Sequence, residues 1–179
     1  MLERSTKKTR GPGATSAGIR NFTLAPPIGP YLTKRCVCLP IMPSERSLFL
    51  GEPEAAIAPI EQAIRLAPDS PNLAIAYWAL GTCQLFLRRV DQAIDLLQTA
   101  RAANPRLWVP YLYLAGAYGL RGDLDKAKSA LAESIRLRPA VKSLARMRAE
   151  NRWLSDPRYQ GLQMKTLNVG LRRAGFPDQ

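Results

Sequence analysis

The sequence predicts an all-α protein: a short array of helical hairpins closed by further helices. Three observations predict it. The first is self-similarity at a fixed offset, since "AIAYWALGTCQLFLRRVDQAIDLLQTARAANP" (74–105) lies over "WVPYLYLAGAYGLRGDLDKAKSALAESIRLRP" (108–139), 34 positions on. Tyr77 falls on Tyr111, Leu80 on Leu114, Gly81 on Ala115, Ala93 on Ala127, Leu97 on Leu131, Ala100 on Ser134 and Pro105 on Pro139. The second is the proline that closes each copy, which has no N–H to donate and whose ring clashes with the preceding turn, so each second helix stops there. The third is composition: 46% hydrophobic residues in a chain of 179 is a globular value with room for one core.

Within each copy the small residues mark contact points. Gly81/Ala115 on the first helix and Ala93/Ala127 on the second let two antiparallel helices approach closely, and Tyr77/Tyr111 with Leu97/Leu131 are expected to fill the space between repeats. These residues resemble the tetratricopeptide repeat, whose first helix carries an aromatic, Leu-Gly and Tyr and whose second carries Ala, a large apolar residue, Ala and Pro. The fold class is therefore a tetratricopeptide-type helical hairpin array of about two and a half repeats with C-terminal capping helices.

The half repeat is "GEPEAAIAPIEQAIRLAP" (51–68), which aligns Gly51 with Gly122, Ala56 with Ala127, Ala63 with Ser134 and Pro68 with Pro139. Its first helix is missing: Pro40 and Pro43 prevent a full helix, and "ERSLFL" supplies one turn at most. Pro59 falls inside the second helix and is expected to kink it, at a cost of about 3 kcal/mol if unrelieved. In "DSPN", Asn72 or Ser70 caps the next helix. Asp91, Asp95, Asp123 and Asp125 stand at the starts of second helices, where capping and dipole matching explain them better than paired-carboxylate chemistry.

Beyond Pro139, Val141, Leu144, Ala145 and Arg148 keep helical spacing. Ser155 or Asp156 then caps a helix with Pro157 at its first position, Arg172 and Arg173 in its last turn, and Gly175 as its left-handed stop. The division is a disordered or irregular basic arm over 1–46, the array over 47–139 and capping helices over 140–179.

Net charge is +12, but its distribution argues against a basic face in the centre. Residues 1–50 carry 8 basic and 2 acidic side chains, 51–139 carry 10 and 9, and 140–179 carry 8 and 3. The excess sits at the two ends, which leaves open a nucleic-acid-associated protein using basic tails as a second reading. Three cysteines, no secretory signal and no long apolar run are the pattern of a cytoplasmic chain. Cys36 and Cys38 lack zinc-knuckle spacing, and with no histidine anywhere no metal or other cofactor is expected. The missing histidine also removes the commonest general base, and no phosphate loop or nucleophile elbow appears, so no enzyme activity is expected.

The tail narrows the family. Asp156-Pro157, Tyr159, Leu162, Gly170-Leu171-Arg172, Ala174-Gly175 and Pro177 resemble the C-terminal end of repeat-bearing bacterial adenylate/guanylate cyclases, over about residues 48–179. The catalytic domain of that family would lie upstream. Only Glu3 and Glu45 are acidic in the first 50 residues, so a two-metal carboxylate site is excluded there. The resemblance implies a regulatory repeat module without its enzyme, a partner in nucleotide-cyclase signalling, or a truncated gene fragment.

The tetratricopeptide resemblance also implies a concave groove along the first helices, here Ile75, Trp78, Thr82 and Leu85, then Val109, Leu112, Gly116 and Gly119. It lacks the Lys, Asn and Arg with which chaperone-binding members clamp a terminal carboxylate, and is suited to an amphipathic helix or extended apolar segment of a protein partner. Trp78 is its strongest anchor. The competing expectation is that the C-terminal segment folds back and fills the groove, burying Trp78 against Trp153 or Leu154. Leu85 and Phe86 read as core, and Trp108 as packing against a loop.

Overall fold

Residues that repeat every 34 positions do become helical pairs. The computed structural model describes residues 45–151 and 154–179, which lie within one unit running from Leu39 to Gln179. Among the described residues there are nine helices and no strand: α1 Arg46–Phe49, α2 Pro53–Leu66, α3 Leu73–Phe86, α4 Val90–Ala103, α5 Trp108–Arg121, α6 Leu124–Leu137, α7 Leu144–Glu150, α8 Pro157–Lys165 and α9 Leu167–Arg173. Residues 1–44 of the expected basic arm, with the pair Cys36 and Cys38, lie outside the described residues; its last two positions, Glu45 and Arg46, stand at the start of α1.

Helices α3/α4 and α5/α6 are the two full hairpins, and α2 is the second helix of the half repeat. Each of α2, α4 and α6 ends one or two residues short of Pro68, Pro105 or Pro139, as the missing N–H and the ring clash demand. Close approach inside a hairpin depends on its small residues. Ala93 and Ala127 are fully buried, and a Cβ on Gly81 would stand 2.8 Å from Leu97 Cγ. Leu97, Leu114 and Leu131 fill the interior around them.

The turns inside the hairpins share one backbone device. Gly122 after α5 has φ 96°, and its N–H and that of Asp123 both donate to the Tyr118 carbonyl. The left-handed conformation there closes the helix end. Gly51 takes φ 74° before α2, and Arg88, at the position of Gly122 in the preceding repeat, takes φ 63° despite its Cβ.

Several expectations change in detail. Helix α2 runs continuously through Pro59, which is exposed together with Ala55, whose carbonyl loses its partner to the proline and faces water. The predicted single turn from "ERSLFL" is α1, with Leu48 fully buried. Tyr77 and Tyr111 are only half-buried; the Tyr111 ring lies under Arg101 of the preceding repeat, and its hydroxyl donates to the Pro105 carbonyl that closes that repeat. Asp123 holds the N-cap position of α6 without accepting from the helix, because Arg121 and Lys126 take its carboxylate. Asp91, in the first turn of α4, also pairs with Arg121, tying one repeat to the next. Asn72 begins α3 with no side-chain cap, and Ser70 Oγ accepts from its backbone N–H instead.

The predicted C-terminal helix is two helices. Asp156 caps α8 by accepting from the Arg158 N–H at 2.8 Å, with Pro157 in the first turn, as expected. The run breaks at Thr166 (φ −122°, ψ −84°), and α9 continues to Arg173 before the left-handed Gly175. Ser143 caps α7 through its hydroxyl.

Candidate functional site: the inner groove

All eight positions expected to line the groove lie along the two first helices, α3 and α5. All eight are buried. Ile75, Trp78, Thr82 and Leu85 come from α3, and Val109, Leu112, Gly116 and Gly119 from α5. Thr82 turns its hydroxyl back onto the Trp78 carbonyl at 2.9 Å, which removes its polarity from the groove. What covers this face is the chain itself.

Helix α9 lies directly against α5. A Cβ on Gly116 would collide with Leu167 Cδ1, and one on Gly119 would fall on the Gly170 carbonyl oxygen, so the two backbones touch with nothing between them. That contact requires glycine on both helices. Leu167 and Leu171 are fully buried, and Phe176 nearly so.

Toward the first repeat an aromatic cluster does the covering. Trp78 meets the Tyr113 ring edge-on, with centroids 5.5 Å apart, and Phe49 of α1 lies 6.3 Å from Trp78 on another side. Tyr159 of α8 stands 5.3 Å from Phe86 and 5.9 Å from Phe49. Edge-on and tilted rings at these spacings are favourable beyond their buried area. Trp78 is 3% exposed, and its buried indole N–H has no acceptor among the described residues. Of the two residues expected to cover it, Leu154 is buried, and Trp153 lies outside the described residues.

Two hydroxyls meet inside the cluster. Tyr113 and Tyr159 share a hydrogen bond of 3.0 Å. Burial pushes the Tyr113 phenol up to about 12, against smaller downward pulls from its hydrogen bonds to Tyr159 and Gln163. Burial likewise holds the Tyr159 phenol well above the ordinary range, with the charge Tyr113 would carry adding to it. Cys83 on α3 is free, fully buried and also raised to about 12, chiefly by burial. Groups raised in this way stay neutral, so the thiol is a packing residue rather than a nucleophile. Phe49, Tyr113 and Tyr159 were not singled out as groove residues by the sequence, although Tyr159 belonged to the tail pattern.

Arg88 fastens the tail at its far end, donating from Nη2 to the Lys165 carbonyl at 2.6 Å, at the close of α8. Glu52 and Arg158 pair at 2.9 Å beside Gly51, whose Cβ, if present, would collide with Arg158. Among the described residues no group of His, Cys, Asp and Glu side chains could hold a metal ion, and no helix is long and apolar enough to cross a membrane.

No family model matches the chain. Over 95 residues, 52% of its length, it is 35% identical to the BBSome complex member BBS4 of Bos taurus, and the match spans only 18% of that protein. Among solved structures it is similar to MamA, with a TM-score of 0.51 and 23% identity over 74% of each chain. It is also similar to a thermophilic TPR protein of Thermus thermophilus, with a TM-score of 0.49 and 25% identity over 73% of this chain and 69% of that one. The fold is an all-helical, tetratricopeptide-type hairpin array, and at these identities the structural likeness shows the fold alone.

Proposed function

We propose that this chain is a non-catalytic protein-interaction module whose inner groove is held closed by its own C-terminal hairpin. One observation carries the reading: α9 occupies the groove as an amphipathic partner helix would, with Leu167 against Gly116 and the Gly170 backbone against Gly116 and Gly119. Trp78 supports it, because its indole N–H meets no acceptor among the described residues, and a partner that brings a carbonyl to it gains a hydrogen bond that α8 and α9 do not offer. The groove residues Ile75, Trp78, Thr82, Leu85, Val109, Leu112, Gly116 and Gly119 are then the receptor face, reached when α8 and α9 withdraw. The non-catalytic part rests on burial that holds Cys83, Tyr113 and Tyr159 neutral.

The tail's similarity to cyclase C-terminal regions supports a partner in bacterial, cytoplasmic nucleotide-cyclase signalling. Capture of a class III cyclase catalytic domain by the immobilised full chain is the test. Gly170→Ala, which drives the added methyl into the Gly116 carbonyl, is expected to increase capture, and Trp78→Ala on that background to abolish it. Equal capture by parent and both variants, or capture by none, overturns the reading. A thermal melt of Gly170→Ala confirms that the repeats stay folded.

A further inference from the structure

The three acidic side chains of the C-terminal quarter are all engaged. Glu150 pairs with Arg138 at 2.7 Å, Asp156 with Arg158 at 3.6 Å, and Asp178 with Arg172 at 2.9 Å. That leaves Lys142, Arg146, Arg148, Lys165 and Arg173 without an acidic partner among the described residues, a local excess that folding itself does not neutralise. Two of these cations are gathered at a cleft. Between α7 and the C-terminal tail lies a depression of about 430 Å³, lined by Ser143, Ala145, Arg146 and Arg148 and, from the other end of the chain, by Arg172, Asp178 and Gln179.

The tail is bonded to the start of α7, where the N–H groups of Leu144 and Ala145 donate to the Pro177 and Asp178 carbonyls. Ser143 Oγ is taken by the Arg146 N–H. Arg172 is held by Asp178, so the guanidinium groups at the cleft without an ion-pair partner among the described residues are those of Arg146 and Arg148, and a guanidinium matches carboxylate oxygens in pairs.

We propose that this cleft docks an acidic segment of a partner protein. The proposal rests on the reading of the chain as an interaction module but uses a different face from the groove, so either can fail without the other. A second copy of a chain with net charge +12 is electrostatically the wrong occupant. A nucleic acid needs a run of cations along its phosphates or aromatic platforms for its bases. The cleft has no aromatic in its lining. A short acidic peptide needs only the forks that are present.

The test uses the full chain and a fluorescein-labelled hexaglutamate peptide, followed by anisotropy across a salt series. Binding is expected to weaken with salt. Arg146→Glu with Arg148→Glu is expected to lower affinity roughly tenfold or more, since it replaces attraction by repulsion at two forks. Arg106→Glu with Lys128→Glu makes the same change in net charge at exposed sites elsewhere, and is expected to retain most of the affinity. Arg146→Lys with Arg148→Lys, which keeps charge but loses the forks, is expected to fall between. Equal loss in the two glutamate pairs, or no binding by the parent, overturns the proposal. Displacement of the peptide by a DNA duplex of matched charge at lower concentration overturns it in favour of nucleic acid.

Discussion

Gly170 on α9 and Gly116 on α5 are in backbone contact: a Cβ on Gly170 would lie on the Gly116 carbonyl oxygen. Since the obstacle is backbone and not the end of a flexible side chain, relief requires one helix to move. Gly170→Ala is expected to destabilise the protein by about 3 kcal/mol, at the upper end for overpacking, as read from denaturant unfolding. Gly161→Ala is the matched control, because nothing lies within 4 Å of the Cβ it adds to α8. It is expected to stabilise by about 0.5–1 kcal/mol through helix propensity.

Leu97 is fully buried against Gly81, and Leu131 holds the equivalent place in the next repeat at 6% exposure. Leu97→Ala is expected to cost about 2–5 kcal/mol, and Leu131→Ala less, because the second site is closer to solvent and can relax. Thermal unfolding of the two variants side by side checks the order.

Alkaline pH is expected to unfold the protein through three buried groups. The Cys83 thiol rises from 9.0 to about 12, and the Tyr113 phenol from 10.0 to about 12, while burial also holds Tyr159 well above its ordinary value. Folding favours the protonated form of each, so their contribution is complete below pH 9 and is lost as pH climbs from about 9 through 12. The denaturation midpoint measured against pH should be flat with respect to these groups up to about pH 9 and then fall. Tyr113→Phe should remove part of that fall.

Arg88 holds a left-handed φ of 63° that glycine adopts freely at the matching Gly122, while its guanidinium donates to the Lys165 carbonyl. Arg88→Gly is expected to gain about 1 kcal/mol from released backbone strain. It loses the bond that secures the end of α8. Global stability should change little, whereas amide hydrogen exchange around Thr166 to Gly170 should speed up.

The hairpins were legible in the sequence because both devices that build them are local. The prolines at 68, 105 and 139 stop helices without reference to anything distant, and Ala93 and Ala127 recur at one offset because each meets the same neighbour in its own repeat. The filling of the groove was legible only as one of two alternatives. Its decisive contacts join Gly116 to Gly170 and Phe49 to Tyr159, across spacings that no repeat period contains. Tyr77 and Tyr111 show the converse: the strongest aromatic match between copies faces half outward, since the neighbouring positions Trp78 and Leu112 take the inner side of their helices. The split at Thr166 left no local signal, with neither glycine nor proline adjacent to it.

Where α8 meets the start of the array, Glu52 grips Arg158 and Phe49 abuts Tyr159, so residues more than a hundred positions apart form one seam. Tension applied between Glu45 and Gln179 would load that seam before any hairpin. In an optical trap the first extension step should be a small one that releases the tail at modest force, while the two repeats yield later as a stiffer spring.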